Sequence, residues 1–211
     1  MGKRFIYFIS SILIFILFIA FSYIVSTDIL NQFDFDIAVK IQDDIPHKLD
    51  YYFSLLSLTG TIEVYLFILF LIFALRRKLR GLFTIIIFMA SHVIELVGKA
   101  LLYHPGPPFL FFRYNIDLFF PSAYVKPGSS YPSGHSMRAA FIAMFLLFLL
   151  FKNKKIKLFH KYLITIPIIL FSFGMFLSRI SLGEHWTTDV VGGILLGTSA
   201  ALLAISFDKS Y

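Results

Sequence analysis

Cysteine is missing from all 211 residues, which excludes disulfides, thiolate nucleophiles and Cys-ligated zinc. Charge is scarce as well: 15% of the residues are Asp, Glu, Lys or Arg, against 58% that are hydrophobic. So few charges cannot cover so much apolar surface in water, and the composition is that of a polytopic membrane protein. Acids are the rarer sign, 12 against 19 Lys and Arg, for a formal charge of +7. The basic residues fall in short clusters between apolar runs, which orients membrane spans and argues against nucleic acid as a partner. No internal repeat or low-complexity tract is visible. The first apolar run, Phe5 to Val25, is too long for a signal-peptide core and lacks a small-x-small cleavage site, so it reads as an uncleaved signal anchor. Ile6 stands where a myristoylation signal wants Ser or Thr, which argues against that lipid anchor.

Crossing a bilayer takes about 20 mostly apolar residues. Six stretches qualify: Phe5 to Val25, Tyr52 to Leu75, Leu82 to Leu102, Ser136 to Phe151, Tyr162 to Leu177 and Thr187 to Phe207, the fourth and fifth being short enough to draw on flanking residues. The expected fold is therefore all-α, an integral membrane bundle of six transmembrane helices forming a single membrane domain over residues 1–211. Arg76, Arg77, Lys78 and Arg80 fill one connection; Lys152, Lys154, Lys155, Lys157 and Lys161 fill another. With Lys3 and Arg4 they mark the cytoplasmic side. The first opposite loop, Ser26 to Tyr51, carries Asp28, Asp34, Asp36, Asp43, Asp44 and Asp50 against Lys40 and Lys48. Its apolar residues alternate over part of its length, and a short interfacial helix fits equally well. The loop from Tyr103 to Tyr131 holds Phe109, Phe111, Phe112, Phe119 and Phe120. It suits either the headgroup region, which favours aromatic rings, or a position packed over the helix ends.

The residues able to do chemistry lie on that outer side. His185 and Asp189 are four apart at the start of the last span, so both share one helix face. A carboxylate on one imidazole nitrogen fixes the tautomer and frees the other nitrogen's lone pair for attack. Arg179, six residues before His185 across a turn at Gly183, offers a planar fork that grips two phosphate oxygens. Pro132-Ser133-Gly134-His135 leads into the fourth span: Ser133 or Ser136 can cap the helix, and Gly134 lets a ligand approach the backbone amides. His92, Glu95 and Lys99 form a polar stripe in the third span, with Glu95 placed to pair with Lys99. Glu63 in the second span has no assigned role.

The complete segments Pro132-Ser133-Gly134-His135 and Ser178-Arg179 followed by His185 and Asp189, with Lys99 upstream, resemble the signatures of the membrane-bound type 2 phosphatidic acid phosphatase family. The resemblance places its signature segments at 99–107, 131–138 and 178–189, all on the extracytoplasmic face. It implies a metal-independent lipid phosphatase without cofactor, in which His185 becomes a phosphohistidine, Asp189 orients it and His135 is the general acid. Lys99, Ser133, Gly134 and Arg179 then hold the phosphate. The partners implied are a lipid phosphate substrate and membrane lipids, in a bacterial cytoplasmic membrane with the site facing outward. Undecaprenyl pyrophosphate is the leading substrate, with phosphatidylglycerophosphate or phosphatidic acid the near rival. A lipid phosphotransferase, or a catalytically weakened lipid-binding protein, is the alternative class.

One departure stands out. The family follows its lysine by six residues and then Arg-Pro, whereas Lys99 is followed by six residues and then Gly106-Pro107. A transition state with charge spread over equatorial oxygens needs that cation or a substitute. Arg113 is preferred, because its loop is tethered by Pro107 and Pro108 and it keeps the guanidinium fork. Arg138, three residues after His135, comes next, and His104 last, since an imidazole carries charge only at lower pH.

Charge counting yields a direct test of topology. Reporter fusions after Lys157 and after Ser130 should give opposite signals, cytoplasmic and extracytoplasmic respectively. An extracytoplasmic Lys157 would sink the assignment.

Overall fold

Long apolar runs can satisfy their backbone in lipid only as helices or as a closed barrel, and here the helix is the outcome. The computed structural model describes residues 2–76, 81–113 and 129–208, among which there is no strand. The helices are Lys3–Val25 (α1), Asn31–Asp44 (α2), Asp50–Thr59 (α3), Ile62–Arg76 (α4), Gly81–Leu101 (α5), Gly134–Lys152 (α6), Leu158–Ser181 (α7) and Thr187–Ser206 (α8). Single 3₁₀ turns occupy His47–Leu49 and Phe109–Phe111. α1, α5, α6, α7 and α8 are each long and apolar enough to span a membrane.

The second span differs from the continuous helix expected. His47–Thr59 and Ile62–Leu75 meet at a bend of 53°. The break falls at Gly60, a poor helix former, and frees its carbonyl, which accepts a hydrogen bond from Arg138 Nε at 2.8 Å. Gly60 also lies against the His135 ring, where a Cβ would overlap Cδ2. The fourth and fifth spans do draw on their flanks, running from Gly134 to Lys152 and from Leu158 to Ser181. In the first outer loop the helix reading prevails as α2, whose buried Ala38 packs with Ile180 and Val190. Phe119 and Phe120 of the next loop lie outside the described residues. Phe109 and Phe112 are exposed, while Phe111 turns inward against Trp186.

α8 and α6 are the axis of the bundle. In their most apolar 18-residue stretches 72% and 61% of residues are buried, against 22% in α1 and 28% in each of α5 and α7. The outer helices turn large apolar side chains such as Leu13, Ile86 and Leu170 away from the protein, as a lipid-facing surface requires. Gly193 and Gly197, one turn apart on α8, let the two central backbones touch. A Cβ at either would overlap a carbonyl oxygen of the segment opposite, Ser133 for Gly193 and Met137 for Gly197. α1 closes against α8 through reciprocal bonds, Ser11 Oγ to Ser199 O at 2.8 Å and Ser199 Oγ to Ser11 O at 3.0 Å. Arg4 Nε donates to Ser206 O at 2.8 Å at one end of α1, and Ser22 Oγ meets Tyr131 Oη at 2.8 Å at the other.

The glycine contact should govern stability. Gly197→Leu should lower the thermal midpoint of the purified protein in detergent, whereas Leu13→Ala on the lipid-facing side of α1 should leave it nearly unchanged; a fluorescence melt compares them. Equal midpoints in Gly197→Leu and the parent would remove close α6/α8 packing as the organising contact.

Candidate active site

The end of α5, the start of α6, the end of α7 and the start of α8 bring their polar residues together at one end of the bundle. Ser133 is the N-cap of α6, its Oγ accepting from Ser136 N at 3.4 Å and from Ser136 Oγ at 3.1 Å. Its own amide donates to Asp189 O at 2.9 Å, which fixes the start of α6 against the start of α8. His135 follows on the first turn. Arg138 Nη2 lies 3.5 Å from its Nδ1.

Glu95 organises the cations on one side. Its carboxylate accepts from His92 Nδ1 at 2.7 Å and Lys99 Nζ at 2.9 Å, and Arg138 Nη1 lies 3.5 Å away. The expected Glu95–Lys99 pair is thus part of a larger cluster in a carboxylate only 2% exposed. That carboxylate lies so close to Gly134 that a Cβ there would overlap it, which gives the glycine of this segment a steric reason. On the other side Arg179 is fully buried. Its Nε and Nη2 contact Ser178 Oγ at 3.2 and 3.1 Å, and Nη1 donates to Glu184 at 2.5 Å. The turn that carries Glu184 and His185 back toward Arg179 needs Gly183, whose φ is 72° and whose Cα faces the Phe111 carbonyl.

Asp189 joins the segments. Its Oδ2 accepts from Ser130 Oγ at 2.7 Å and from Trp186 N at 2.9 Å, and lies 3.3 Å from His185 Nδ1. The bond to Trp186 N is the backward reach of an acid at the third helical position, so one carboxylate both caps α8 and orients the histidine. With Nδ1–H turned to Asp189, His185 keeps the lone pair of Nε2 for a substrate.

Two of the three proposed substitutes for the missing arginine lie elsewhere than expected. Arg113 docks on the C-terminal end of α2: Nη1 donates to Ile45 O at 2.8 Å, Nη2 donates to Gln42 O, and Asp50 Oδ1 is 3.5 Å away. The free carbonyls of a helix end and a carboxylate attract a guanidinium more strongly than an open loop position does. His104, 4% exposed, sits behind Asp189, with Nε2 3.5 Å from Asp189 Oδ1, instead of over the phosphate side. Arg138 is the one that faces the site, its Nη2 3.5 Å from His135 Nδ1. Gly106 itself is exposed, and among the described residues a Cβ there would meet only Ser130, at ordinary contact distance.

Sequence reading missed Asp34, Ser130 and Glu184. Asp34, on α2, accepts from Thr188 N at 2.8 Å and Thr188 Oγ1 at 2.5 Å, capping α8 from a separate helix. Burial pushes its carboxyl above the usual range, against the pull of the two Thr188 hydrogen bonds. Nothing local in the sequence signals a partner 154 residues away. Glu184 is different, since its place directly before His185 and five residues after Arg179 could have suggested an ion pair.

Fold and site together define a multi-pass integral membrane protein with a cationic, histidine-bearing centre at one end of a helical bundle. A family model described as the PAP2 superfamily matches residues 81–210, and the chain belongs to that family. Phosphatidylglycerophosphatase B of Bacillus subtilis (strain 168) is 29% identical over 137 residues, 65% of this chain and 62% of that protein, so the chain spans less than two thirds of its length. Among solved structures, the transmembrane PAP2-type phosphatidylglycerolphosphate phosphatase from Bacillus subtilis superposes with a TM-score of 0.76 at 23% identity, over 94% of this chain and 96% of that one. Aquifex aeolicus LpxE superposes at 0.60 with 24% identity, over 81% and 93%. At these identities the likeness concerns the fold.

The placement of the arginines separates their expected effects. Arg138→Ala should lower catalytic efficiency by about 10²-fold, the scale of losing one transition-state donor. Arg113→Ala should instead lower the thermal midpoint and keep most of the turnover. Kinetics and melts of both variants decide, and a larger kinetic loss in Arg113→Ala would reverse the assignment.

Proposed function

We propose that this protein is an integral membrane lipid phosphatase that hydrolyses a lipid phosphate through a phosphohistidine on His185, at the extracytoplasmic face of a bacterial cytoplasmic membrane. The observation that carries the reading is the His185–Asp189 pair, 3.3 Å between Nδ1 and Oδ2, at the same end of the bundle as His135, whose Nδ1 lies 3.5 Å from Arg138 Nη2. Nδ1–H of His185 donates to Asp189, and Nε2 attacks phosphorus. The bond from phosphorus to the lipid oxygen breaks, and His135 gives that oxygen its proton. A water that returns a proton to His135 then attacks phosphorus, the P–N bond breaks, and inorganic phosphate leaves.

Arg179, Lys99 and Arg138 are the groups that would hold the phosphoryl oxygens. The first amides of α6, at Gly134 and His135, add the positive end of a helix. Each cation already holds a carboxylate at rest, Glu184 on Arg179 and Glu95 on Lys99 and Arg138. A phosphoryl group arriving there would compete with these carboxylates for the cations, which supply the positive charge its oxygens need. Chelator should leave the rate unchanged, and orthovanadate should inhibit.

For the substrate, the name of the Bacillus relative favours phosphatidylglycerophosphate over the undecaprenyl pyrophosphate expected from the family resemblance. Both belong in one panel with phosphatidic acid, assayed as phosphate release from purified lipids in detergent. Release from a lipid monophosphate, with activity reduced by several orders of magnitude in His185→Ala and an acid-labile, base-stable phosphoenzyme in the parent, is the expected result. Turnover that survives in His185→Ala would overturn the covalent mechanism, and phosphorylated lipid product in place of free phosphate would favour phosphotransfer.

A further inference from the structure

Asp189 is buried, and while its Oδ2 has three polar contacts, its Oδ1 has no hydrogen-bond partner among the described residues. What faces Oδ1 is the imidazole of His104, with Nε2 at 3.5 Å. The same Nε2 lies 3.4 Å from Thr188 Oγ1 and 3.9 Å from Asp34 Oδ2. Thr188 has committed its hydroxyl hydrogen to Asp34, so a hydroxyl and two carboxylates all present acceptors to Nε2. That nitrogen therefore carries a proton. The Tyr131 ring stands edge-on against the imidazole, with centroids 6.2 Å apart, and Ser130 N donates to the His104 carbonyl at 2.9 Å, so the ring and its backbone are both held.

We propose that His104 is a positioning residue for the nucleophile: its Nε2–H, 3.5 Å from the second oxygen of Asp189, holds that oxygen by electrostatic contact and thereby keeps the first on His185. The contacts run His104···Asp189···His185, and Asp34 joins them through Thr188, since the single Nε2–H cannot serve both carboxylates. A carboxylate held at Oδ2 alone can swing about that oxygen. Held at both, it keeps its plane and its hydrogen-bond direction, and with them the line of Nε2 toward phosphorus. When His185 becomes cationic on attack, Asp189 receives that charge without turning. Asp34 completes the chain by capping α8 through Thr188, which sets the distance between His104 and Asp189. This inference rests on the phosphohistidine reading above, and it assigns His104 a role different from that of a substitute phosphate ligand.

The test uses the full-length protein in detergent and a lipid monophosphate that it hydrolyses. His104→Gln keeps an N–H donor near the position of Nε2, and His104→Asn keeps the polarity but withdraws the donor. His104→Asn should lower kcat by about 10-fold or more with KM within about threefold of the parent, and His104→Gln should recover most of that loss. Asp34→Asn should lower kcat in the same sense and less. A rise in KM with kcat unchanged, or rescue of His104→Asn by Gly106→Arg, puts His104 on the phosphate and overturns the proposal. So do parental kinetics in His104→Asn. His185→Ala is assayed beside these variants: if it is inactive and His104→Asn is not impaired, the positioning role alone fails, whereas an active His185→Ala defeats the reading on which that role rests.

Discussion

The close approach of α6 and α8 is the constraint on which the rest of the structure depends. With Gly193 and Gly197 at the contact, the first turn of α6 comes near enough to α8 for Ser133 N to bond the Asp189 carbonyl. His135 opens one of these helices, and His185 directly precedes the other. Their separation is set by main chain and not by flexible side chains, which holds the two imidazoles in a fixed relation. Association of helices in lipid gains little from burying apolar surface, so packing of this closeness is what holds such a pair. Larger side chains at these glycines would move His135 as well as loosen the bundle.

Around that axis the charges are arranged so that none of the site's central cations stands without an anionic or polar partner. Arg179 is fully buried, and an unpaired guanidinium there would be strongly unfavourable. Glu184 and Ser178 partner it, and Glu95 partners Lys99, His92 and Arg138 together. The broken second span adds to this by offering Gly60 O to Arg138. Irregular backbone at membrane depth persists where it lines a protein interior, and here the irregularity supplies an acceptor that a continuous helix would have used internally.

Residues whose partners are close in sequence were legible in advance. Glu95 with Lys99 follows from the period of a single helix, and Ser133 as a cap from its place at a helix start; His185 with Asp189 follows from short spacing, although His185 precedes α8 and does not share its face as expected. The spans were legible for the same reason, because an apolar run reports itself. Arg113 was misjudged because its partners, Gln42, Ile45 and Asp50, sit more than 60 residues earlier on a segment whose helical state the sequence left open. His104 was recognised as noteworthy but given the wrong neighbour, since only the folded chain brings Asp34 and Asp189 to it. Gly60 carried no visible signal within an apolar run, and the carbonyl freed at its bend finds its donor in Arg138, 78 residues on.

The pairing of the first span with the last bears on how the chain assembles. Ser11 and Ser199, 188 residues apart, satisfy each other's hydroxyls and carbonyls, and Arg4 finds its acceptor at Ser206. A helix that enters the bilayer first must therefore wait, with these polar groups without their final partners, until α8 has been synthesised and inserted. Contacts of such long sequence separation form late. The bundle closes like a clasp, with its two ends meeting last, and a chain halted before Thr187 lacks both that clasp and the carboxylate that orients His185.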